Sequence, residues 1–477
     1  MQNNPTPLRR DLTTTSAISI VIGTVIGTGI FLKSASMTQL LGSASWVILA
    51  WIAAGLLSIA GTLTYAELAA MMPESGGPYV YLRTAYGKLP AFVFGWKELL
   101  ATKGAGNAAV AVAIAIFLSS LIPFRLVWAQ HTFHMFGEQI NWQFGTQQLE
   151  AIAFIVILSA INCISVSAGG RFQTLVTGLK LLGIAFLIVG AFFFARGASW
   201  AHFQSHLAGA GSPGIAAFGA AMIAAMWAYS GWGDLPIAGG EVRSPGKTIP
   251  FGLIAGILVV MAIYVVANIA YVYVLPLADL ATSSSTAFPN AAPVAARVAQ
   301  AFLGIGGAAF LSLLFVVSAL GTLNGGILTG SRVPFAMAGD RLLPEPLAQV
   351  NPQTRTPVTS IIVLAVWACI VALSGTFDQI TTLIIFVDVL LDFFGAASIF
   401  ILRRTMVGAE RPFRTPLYPL VPIAYVATLG WLVFNTIATS PAEAFGGLAI
   451  IVVGLPVYLY YRSKEVRGTS PNAAQQP

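Results

Sequence analysis

The chain has 477 residues, of which 57% are hydrophobic and 9% are charged, and its mean hydropathy is +0.82. Soluble chains carry about a quarter charged residues, so this composition excludes an ordinary soluble domain and predicts an all-α membrane protein with many spans. The formal net charge of +7 does not indicate a nucleic-acid partner, because the basic residues follow the loops between apolar runs.

Apolar runs of roughly 20 residues, long enough to cross a bilayer as helices, recur twelve times along the chain. Their approximate centres lie near residues 28, 57, 108, 157, 183, 226, 262, 318, 366, 393, 427 and 453. We therefore divide the chain into an N-terminal tail (1–15), a core of ten spans (16–403), two further spans (404–462) and a disordered C-terminal tail (463–477). The polar N-terminal tail does not resemble a cleaved signal peptide.

The basic residues are distributed unevenly between the two sides of the predicted membrane. If the N-terminus is cytoplasmic, 17 of the 24 lysines and arginines lie in cytoplasmic loops or tails, and the outer loops hold only Arg125, Arg196 and Arg297. By the positive-inside rule, this asymmetry predicts that both termini are cytoplasmic.

The first span, residues 16–41, is interrupted in its middle by the segment GTVIGTG at 23–29. Three glycines and two threonines in seven residues are poor helix formers, so the helix is expected to open there. Backbone groups freed at membrane depth are tolerated only where they are buried in protein or line a wet cavity. In transporters this place is usually the substrate site.

The sixth span, residues 214–237, contains a second predicted break in the segment MWAYSGWGDLP at 226–236. The two breaks lie five spans apart. Because each span crosses the membrane once, an odd number of spans means that a second repeat beginning at the sixth span would start on the opposite side of the membrane from the first. This is the inverted-repeat arrangement, with a binding site near the midplane. The alternative is a pair of glycine-mediated helix contacts, which are common in membranes.

Several charged residues fall inside the spans, where they must face a partner or a cavity. Lys180 lies in the middle of the fifth span, and Asp234 follows the second break. Asp388 and Asp392 are spaced i, i+4 on one face of the tenth span. The three acids could share a proton, bind a cation or pair with a buried lysine such as Lys97 or Lys103.

A set of motifs in chain order resembles the amino acid–polyamine–organocation (APC) transporters, and within them the L-type amino acid transporter branch. The opening motif is GTVIGTGIF at 23–31. The others are YAEL at 65–68, SGGPY at 75–79, WKELL at 96–100, NG at 324–325, SR at 331–332, LP at 343–344, TPV at 356–358, LR at 402–403 and RP at 411–412. The likeness covers roughly residues 12 to 462 and implies the LeuT-like five-plus-five fold, with helices 1 and 6 broken.

This resemblance implies that an α-amino acid is held between the two breaks. The helix dipole and free N–H groups at Thr28, Gly29 and Ile30 suit its carboxylate. The expected carbonyl acceptors for its ammonium group are those of Val25, Ile26, Trp227, Ala228 and Ser230. Further residues expected to face the pocket are Thr24, Trp232, Gly233 and Asn324.

The resemblance also implies roles for two single residues. Trp227 occupies the position of an aromatic gate over the substrate, with an ordinary interior aromatic as the alternative. Lys180 matches a lysine that replaces sodium in related carriers by tying the broken first helix to the fifth, so no sodium dependence is expected. The alternative, snorkelling to the surface, is disfavoured because Lys180 lies about 13 Å beyond Arg171 along the helix.

The predicted partners are an amino acid and the lipid bilayer. Eukaryotic relatives link a heavy subunit through a cysteine in the loop after the third helix, but residues 122–148 contain none, so no such subunit is expected. Cys163 and Cys369 lie in apolar spans and predict neither a disulfide nor a metal site. No cofactor is expected, and a bacterial cell (inner) membrane is the predicted location.

The leading interpretation is a sodium-independent amino acid exchanger, with a proton-coupled permease for amino acids, including cationic ones or polyamines, as the alternative. A sensor or channel on the same scaffold is a weaker alternative, because no ring of polar pore-lining residues recurs. An enzyme is not expected, since the four histidines (His131, His134, His202 and His206) lie in outer loops. Charged residues near the predicted cytoplasmic mouth were expected either to form ion pairs or to be solvated: Glu67, Glu241, Arg83, Arg243 and Arg332.

Overall fold

The computed structural model describes residues 8–122, 126–135, 138–207, 214–285, 287–288, 291–374, 377–439 and 441–468. The first half of the chain forms ten α-helices and a two-stranded sheet. The helices are α1 (Thr14–Val25), α2 (Gly29–Leu41), α3 (Ala44–Met71), α4 (Pro78–Tyr86), α5 (Lys88–Lys97), α6 (Gly106–Leu121), α7 (Thr146–Ile164), α8 (Val166–Phe194), α9 (Ile215–Tyr229) and α10 (Asp234–Ile237).

The second half is helical as well. Its helices are α11 (Pro245–Val274), α12 (Leu277–Ala281), α13 (Val294–Leu303), α14 (Gly306–Gly330), α15 (Arg332–Gly339), α16 (Val358–Ser374), α17 (Phe377–Thr405), α18 (Leu420–Thr439) and α19 (Pro441–Gly468). A π-helical segment at Glu98–Ala105 joins α5 to α6, and short 3₁₀ turns occupy Trp200–Gln204, Gly239–Glu241 and Glu345–Ala348.

Among the described residues, nine helical spans are long and apolar enough to cross a membrane. Three further helices, α9, α16 and α17, contain the remaining predicted span centres. Eleven of the twelve predicted centres lie within a helix, and the first, near residue 28, lies in the gap between α1 and α2. The predictions of a helical membrane protein and of breaks in the first and sixth spans are therefore confirmed.

The two halves of the first span pack against different neighbours. The helix α1 contacts α8, α11 and α14, whereas α2 packs mainly along α9. Close approach of α1 and α11 requires Gly256, because a Cβ there would lie 2.5 Å from Cγ1 of Val21. Small residues at such crossings let backbones approach, which is a common way for helices to associate in membranes.

The described residues of the loop after the third span form two paired strands. Strand β1 (Val127–Met135) pairs antiparallel with β2 (Glu138–Gly145), and His131 lies opposite Trp142. The indole N–H of Trp142 donates to the carbonyl of Leu373 at 2.7 Å and fixes the hairpin to the end of α16.

Both predicted tails are partly ordered. The N-terminal segment forms a parallel bridge in which the N–H of Leu12 donates to the carbonyl of Glu241 and the N–H of Arg243 donates to Leu12, both at 2.9 Å. At the other end α19 continues to Gly468, so residues 463–468 are helical and their prediction as a disordered tail is wrong. The helix can continue because Tyr458, Tyr460, Arg462 and Lys464 are all compatible with helical geometry.

Candidate functional site

The first break leaves unpaired donors at the start of α2. The helix α1 ends at Val25, and Thr28 is the N-terminal cap of α2 without a side-chain capping bond. Among the described residues, the N–H groups of Thr28, Gly29 and Ile30 have no backbone acceptor. The three predicted carboxylate donors therefore lie together at a positive helix end.

The second break is shorter than predicted. The helix α9 continues through Trp227 and Ala228 to Tyr229, and only residues 230–233 are non-helical before α10 begins. Gly231 has φ of 112°, a conformation that favours glycine, and it makes the turn between the two helices. Pro236 does not open the helix, because it lies in the first turn of α10, where N–H groups have no helical partner anyway.

The two breaks contact each other directly. The hydroxyl of Thr24 donates to the carbonyl of Gly231 at 3.0 Å. A Cβ on Gly231 would lie 2.9 Å from the carbonyl carbon and oxygen of Thr24, so only glycine permits this approach. The hydroxyl of Tyr264 lies 2.9 Å from the carbonyl oxygens of both Val25 and Ala228 and bridges the two broken spans.

Gly29 serves the packing of α2 against α9. A Cβ at this position would lie 2.6 Å from the Cβ and 2.8 Å from the Cα of Ala228. The structure thus gives a packing reason for a glycine at this position. Its N–H group still belongs to the unpaired set at the start of α2.

Trp227 and Ser230 mark the accessible side of the site. Ser230 is exposed although it lies within an apolar span, and its hydroxyl donates to the carbonyl of Trp227 at 2.7 Å. The Trp227 side chain is half-buried, and the Nζ atom of Lys33 lies 4.5 Å from its ring centroid. The indole ring of Trp227 thus lies beside the second break, where Ser230 is exposed.

Four of the five carbonyl oxygens expected to bind an ammonium group already have donors in this conformation, namely those of Val25, Ile26, Trp227 and Ala228. Val25 accepts from Tyr264 and from the N–H of Gly27, and Ile26 accepts from Lys180 and from Ser318. An incoming ammonium group would have to displace one of these donors, and the Tyr264 hydroxyl is a neutral donor that can rotate away.

Lys180 is fully buried and is bonded to the broken first span. Its Nζ donates to the carbonyl of Gly23 at 2.8 Å and to that of Ile26. Hydroxyl groups of α14 complete this set of contacts, since Ser318 donates to Ile26 at 3.0 Å and Thr322 to Gly23 at 3.3 Å. The lysine therefore ties α8 to the end of α1, as the sequence predicted, and it does not snorkel.

Comparison with known proteins assigns the chain to a family. The family model described as amino acid permease matches residues 12–455. The chain belongs to the amino acid permease family. The serine/threonine exchanger SteT of Bacillus subtilis (strain 168) is 32% identical over 462 residues, which cover 96% of this chain and 98% of the relative.

Two human proteins are also similar to this permease. The cystine/glutamate transporter of Homo sapiens is 30% identical over 455 residues, covering 95% of this chain and 85% of the relative. The large neutral amino acids transporter small subunit 2 of Homo sapiens is 27% identical over 462 residues, covering 96% of this chain and 82% of the relative. The predicted resemblance to APC transporters and to the L-type branch is confirmed.

The acids of the permease at membrane depth pair with lysines of the third span. Lys103 forms an ion pair with Asp234, and Lys97 lies 2.5 Å from Asp388 and 2.6 Å from Glu98. Both lysines flank or lie in the π-helical segment, and such segments are frequent at functional sites. Of the three alternatives given for these acids, pairing with a buried lysine is what the structure contains for Asp234 and Asp388.

Asp392 is the exception among these acids. Within the described residues it has no lysine or arginine ion-pair partner, and the hydroxyl of Tyr65 lies 3.5 Å from its Oδ1 atom. It therefore differs from Asp388, one turn earlier on α17, which faces Lys97.

Ion pairs join the elements near the predicted cytoplasmic mouth. Glu241 and Arg332 form a fully buried bidentate pair at 2.8 and 2.9 Å. Glu67 pairs with Arg403 at 2.6 Å, linking α3 to α17. The ion-pair expectation is confirmed for these groups, whereas the solvated alternative is wrong for them because their carboxylates are buried.

The remaining two arginines of this set lie in more exposed pairs. Arg83 contacts Asp340 at 2.8 Å and Glu74 at 3.1 Å, and these carboxylates raise the pKa of Arg83 against the effect of its partial burial. Arg243 is more than half exposed and lies 3.3 Å from Asp11.

Asn324 does not face the site, contrary to expectation. It is fully buried and donates to the carbonyl of Gly169 at 3.2 Å and to Gln173 at 2.8 Å, while accepting from Asn162. A buried amide must satisfy both its donor and acceptor groups, and this polar network between α7, α8 and α14 does so for Asn324. Trp232 is also buried, and its ring lies 5.1 Å from that of Tyr65.

Sequence reasoning missed two side chains at the breaks, Tyr264 and Lys33. Tyr264 lies in an unbroken apolar span, where a tyrosine gives no distinct signal. Lys33 did give a signal, because a lysine inside an apolar span, four residues after Gly29, must face a partner or a cavity.

Proposed function

We propose that this permease exchanges α-amino acids across the cell membrane by alternating access, with the substrate held between the two helix breaks. The observation that carries the proposal is the set of unpaired N–H groups at Thr28, Gly29 and Ile30 next to the break at the exposed Ser230. Exchange is favoured over net uptake because SteT, a relative over nearly its whole length, is described as an exchanger.

In the proposed complex, the substrate carboxylate accepts hydrogen bonds from the start of α2. Its ammonium group takes the place of the Tyr264 hydroxyl and donates to carbonyl oxygens of the broken spans, namely Val25, Ile26, Trp227, Ala228 and Ser230. Trp227 acts as the gate, since its half-buried ring lies beside the exposed break. Rocking of one group of helices against the other then opens the site to each side in turn.

We propose that transport does not depend on sodium. The ammonium group of Lys180 donates to the carbonyl oxygens of Gly23 and Ile26, which also accept from the hydroxyls of Thr322 and Ser318. Carbonyl oxygens of this kind would suit a hard monovalent cation, and the lysine charge serves in its place.

The proposal includes the organisation and location of the protein. Residues 16–403 form the five-plus-five core, and residues 404–462 add two spans outside the repeat. Both termini face the cytoplasm of a cell whose inner membrane holds the protein. The chain acts without a disulfide-linked heavy subunit and performs transport without a chemical reaction on its substrate.

A second candidate is proton-coupled uptake, which Asp392 favours. A carboxylate at membrane depth without a basic ion-pair partner in the described residues can take up and release a proton during the transport cycle. Asp234 and Asp388 would participate only if their lysine pairs opened during the cycle.

Reconstitution into liposomes tests these alternatives. Uptake of labelled serine is measured into empty vesicles and into vesicles preloaded with serine, with sodium or choline outside and with or without an inward proton gradient. Uptake that requires a preloaded amino acid and ignores both ions is the expected result. Uptake into empty vesicles driven by protons would replace exchange by the second candidate, and sodium stimulation would contradict the role of Lys180.

A further inference from the structure

Lys33 places a cation beside the proposed gate. It lies four residues after Gly29 on α2, which puts it on the same helix face about 6 Å farther along the axis. Its Nζ atom is 4.5 Å from the ring centroid of Trp227, and the side chain is only partly buried. An amino acid that passes Trp227 must therefore pass this ammonium group.

The charge of Lys33 is not balanced by an acid. The other lysines inside the spans have anionic or carbonyl partners: Lys97 with Asp388 and Glu98, Lys103 with Asp234, and Lys180 with Gly23 and Ile26. In the described part of the chain, Lys33 contacts the face of an aromatic ring and forms no ion pair. The ring face holds the ammonium group in place without neutralising it.

The neighbouring groups add to this positive potential. The unpaired N–H groups at the start of α2 form the positive end of a helix dipole, one turn from Lys33. Asp234, the acid that follows the second break, is already paired with Lys103. Lys33 thus adds, beside the breaks and Trp227, a positive charge that no acid in the described part of the chain pairs with.

We propose that Lys33 sets the substrate class of the permease: it excludes amino acids with cationic side chains and admits those with neutral or anionic ones. This inference rests on the proposed function. At an effective dielectric constant of about 20, two like charges roughly 7 Å apart repel strongly enough to lower binding by about tenfold or more. The zwitterionic backbone is common to all substrates, so only the side-chain charge is discriminated.

The test is competition against exchange of labelled serine in liposomes preloaded with serine. Unlabelled serine, glutamate and lysine are compared as competitors, and the half-inhibitory concentration of lysine is divided by that of serine for each variant. The variants are Lys33→Met, which removes the charge, and Lys33→Arg, which keeps it. Lys247→Met removes an exposed lysine at the start of α11 and serves as the matched control.

We expect the wild type, Lys33→Arg and Lys247→Met to discriminate against lysine by tenfold or more, and Lys33→Met to lose most of that discrimination. Because the measure is a ratio within one variant, a loss of expression or overall rate does not alter it. If Lys33→Met is inactive, Lys33→Gln, which also removes the charge, takes its place in the comparison. Lysine competing as well as serine in the wild type, or an unchanged ratio in Lys33→Met, would overturn the role of Lys33 alone. Absence of any amino acid exchange by the wild type would overturn the proposed function and this inference with it.

Discussion

The Tyr264 hydroxyl lies 2.9 Å from the carbonyl oxygen of Val25, at the last residue before the break in the first span. The same hydroxyl reaches Ala228 in the sixth span, so a residue of the unbroken helix α11 connects both breaks. One hydroxyl hydrogen can serve only one acceptor at a time, which leaves a lone pair available on the other carbonyl. The bridge is therefore suited to being exchanged for the three hydrogens of a substrate ammonium group.

We expect Tyr264→Phe to lower the stability of the substrate-free protein by about 1–2 kcal/mol, since it removes the donor to two buried carbonyl groups. Serine should then raise the melting temperature of the variant more than that of the wild type, because its ammonium group restores the missing donor. The measurement is thermal unfolding in detergent with and without serine. Tyr271→Phe is the control on the same helix, since its hydroxyl is buried and has no hydrogen-bond partner among the described residues, so its removal should not destabilise. Equal serine-induced shifts in wild type and Tyr264→Phe would argue against ammonium binding at these carbonyls.

Replacement of Lys180 tests the link between α8 and the first break. Lys180→Ala removes the donor to Gly23 and Ile26, so the end of α1 loses its anchor and we expect the exchange rate to fall at least about tenfold. Exchange by the wild type should be equal in sodium and in choline. The measurement is initial uptake into preloaded liposomes in both salts. Normal exchange by Lys180→Ala would show that the anchor is dispensable.

The packing of α2 against α9 can be tested by moving one methyl group across the interface. Gly29→Ala should impair folding or substrate affinity, because the new Cβ would lie 2.6 Å from that of Ala228. The double variant Gly29→Ala/Ala228→Gly should recover both in part, since it removes the 2.6 Å contact between the two Cβ atoms but leaves the 2.8 Å contact with the Cα of residue 228. Gly233→Ala is the control within a break, as its Cβ would meet no atom within 4 Å. The measurement is the yield of monodisperse protein by size-exclusion chromatography, followed by serine affinity; failure of the double variant to improve on Gly29→Ala would refute the packing reason.

The sequence predicted the features that depend on local composition. Both breaks follow from glycines within apolar runs, and Lys180 was identifiable because a charge at the centre of a span requires a partner. The start of the second break at Ser230 was not predictable, because the residues on both sides of it are equally apolar and the helix continues through Trp227 to Tyr229. The sequence also could not decide which lysine pairs with which acid. Lys103 and Asp234 are 131 residues apart, and only the tertiary fold brings them together.

A variant of Asp388 can distinguish a structural ion pair from a proton-carrying role. If its role is the ion pair with Lys97, then Asp388→Asn should lower stability but leave the shape of the exchange-against-pH curve unchanged between about pH 5.5 and 8. Asp392→Asn provides the comparison, because Asp392 lies one turn away and forms no ion pair with a lysine or arginine among the described residues. The measurement is the serine exchange rate of both variants across this range. A flattened curve for Asp388→Asn would instead assign it a proton-carrying role.

The Lys103–Asp234 pair joins the π-helical segment of the third span to the half-helix that follows the second break. Both side chains are almost fully buried, so Asp234→Asn leaves an unpaired lysine charge and should cost about 3–5 kcal/mol of stability. Lys103→Met/Asp234→Asn removes both charges and should recover at least about 2 kcal/mol relative to the sum of the single changes. Unfolding by SDS in mixed micelles measures these differences, and Asp11→Asn in the exposed pair with Arg243 should change stability by no more than about 0.5 kcal/mol. Additive effects of the two buried changes would mean that the pair does not couple the third and sixth spans. Strong coupling would mean that any motion of α10 during transport must either carry the third span with it or break a buried ion pair.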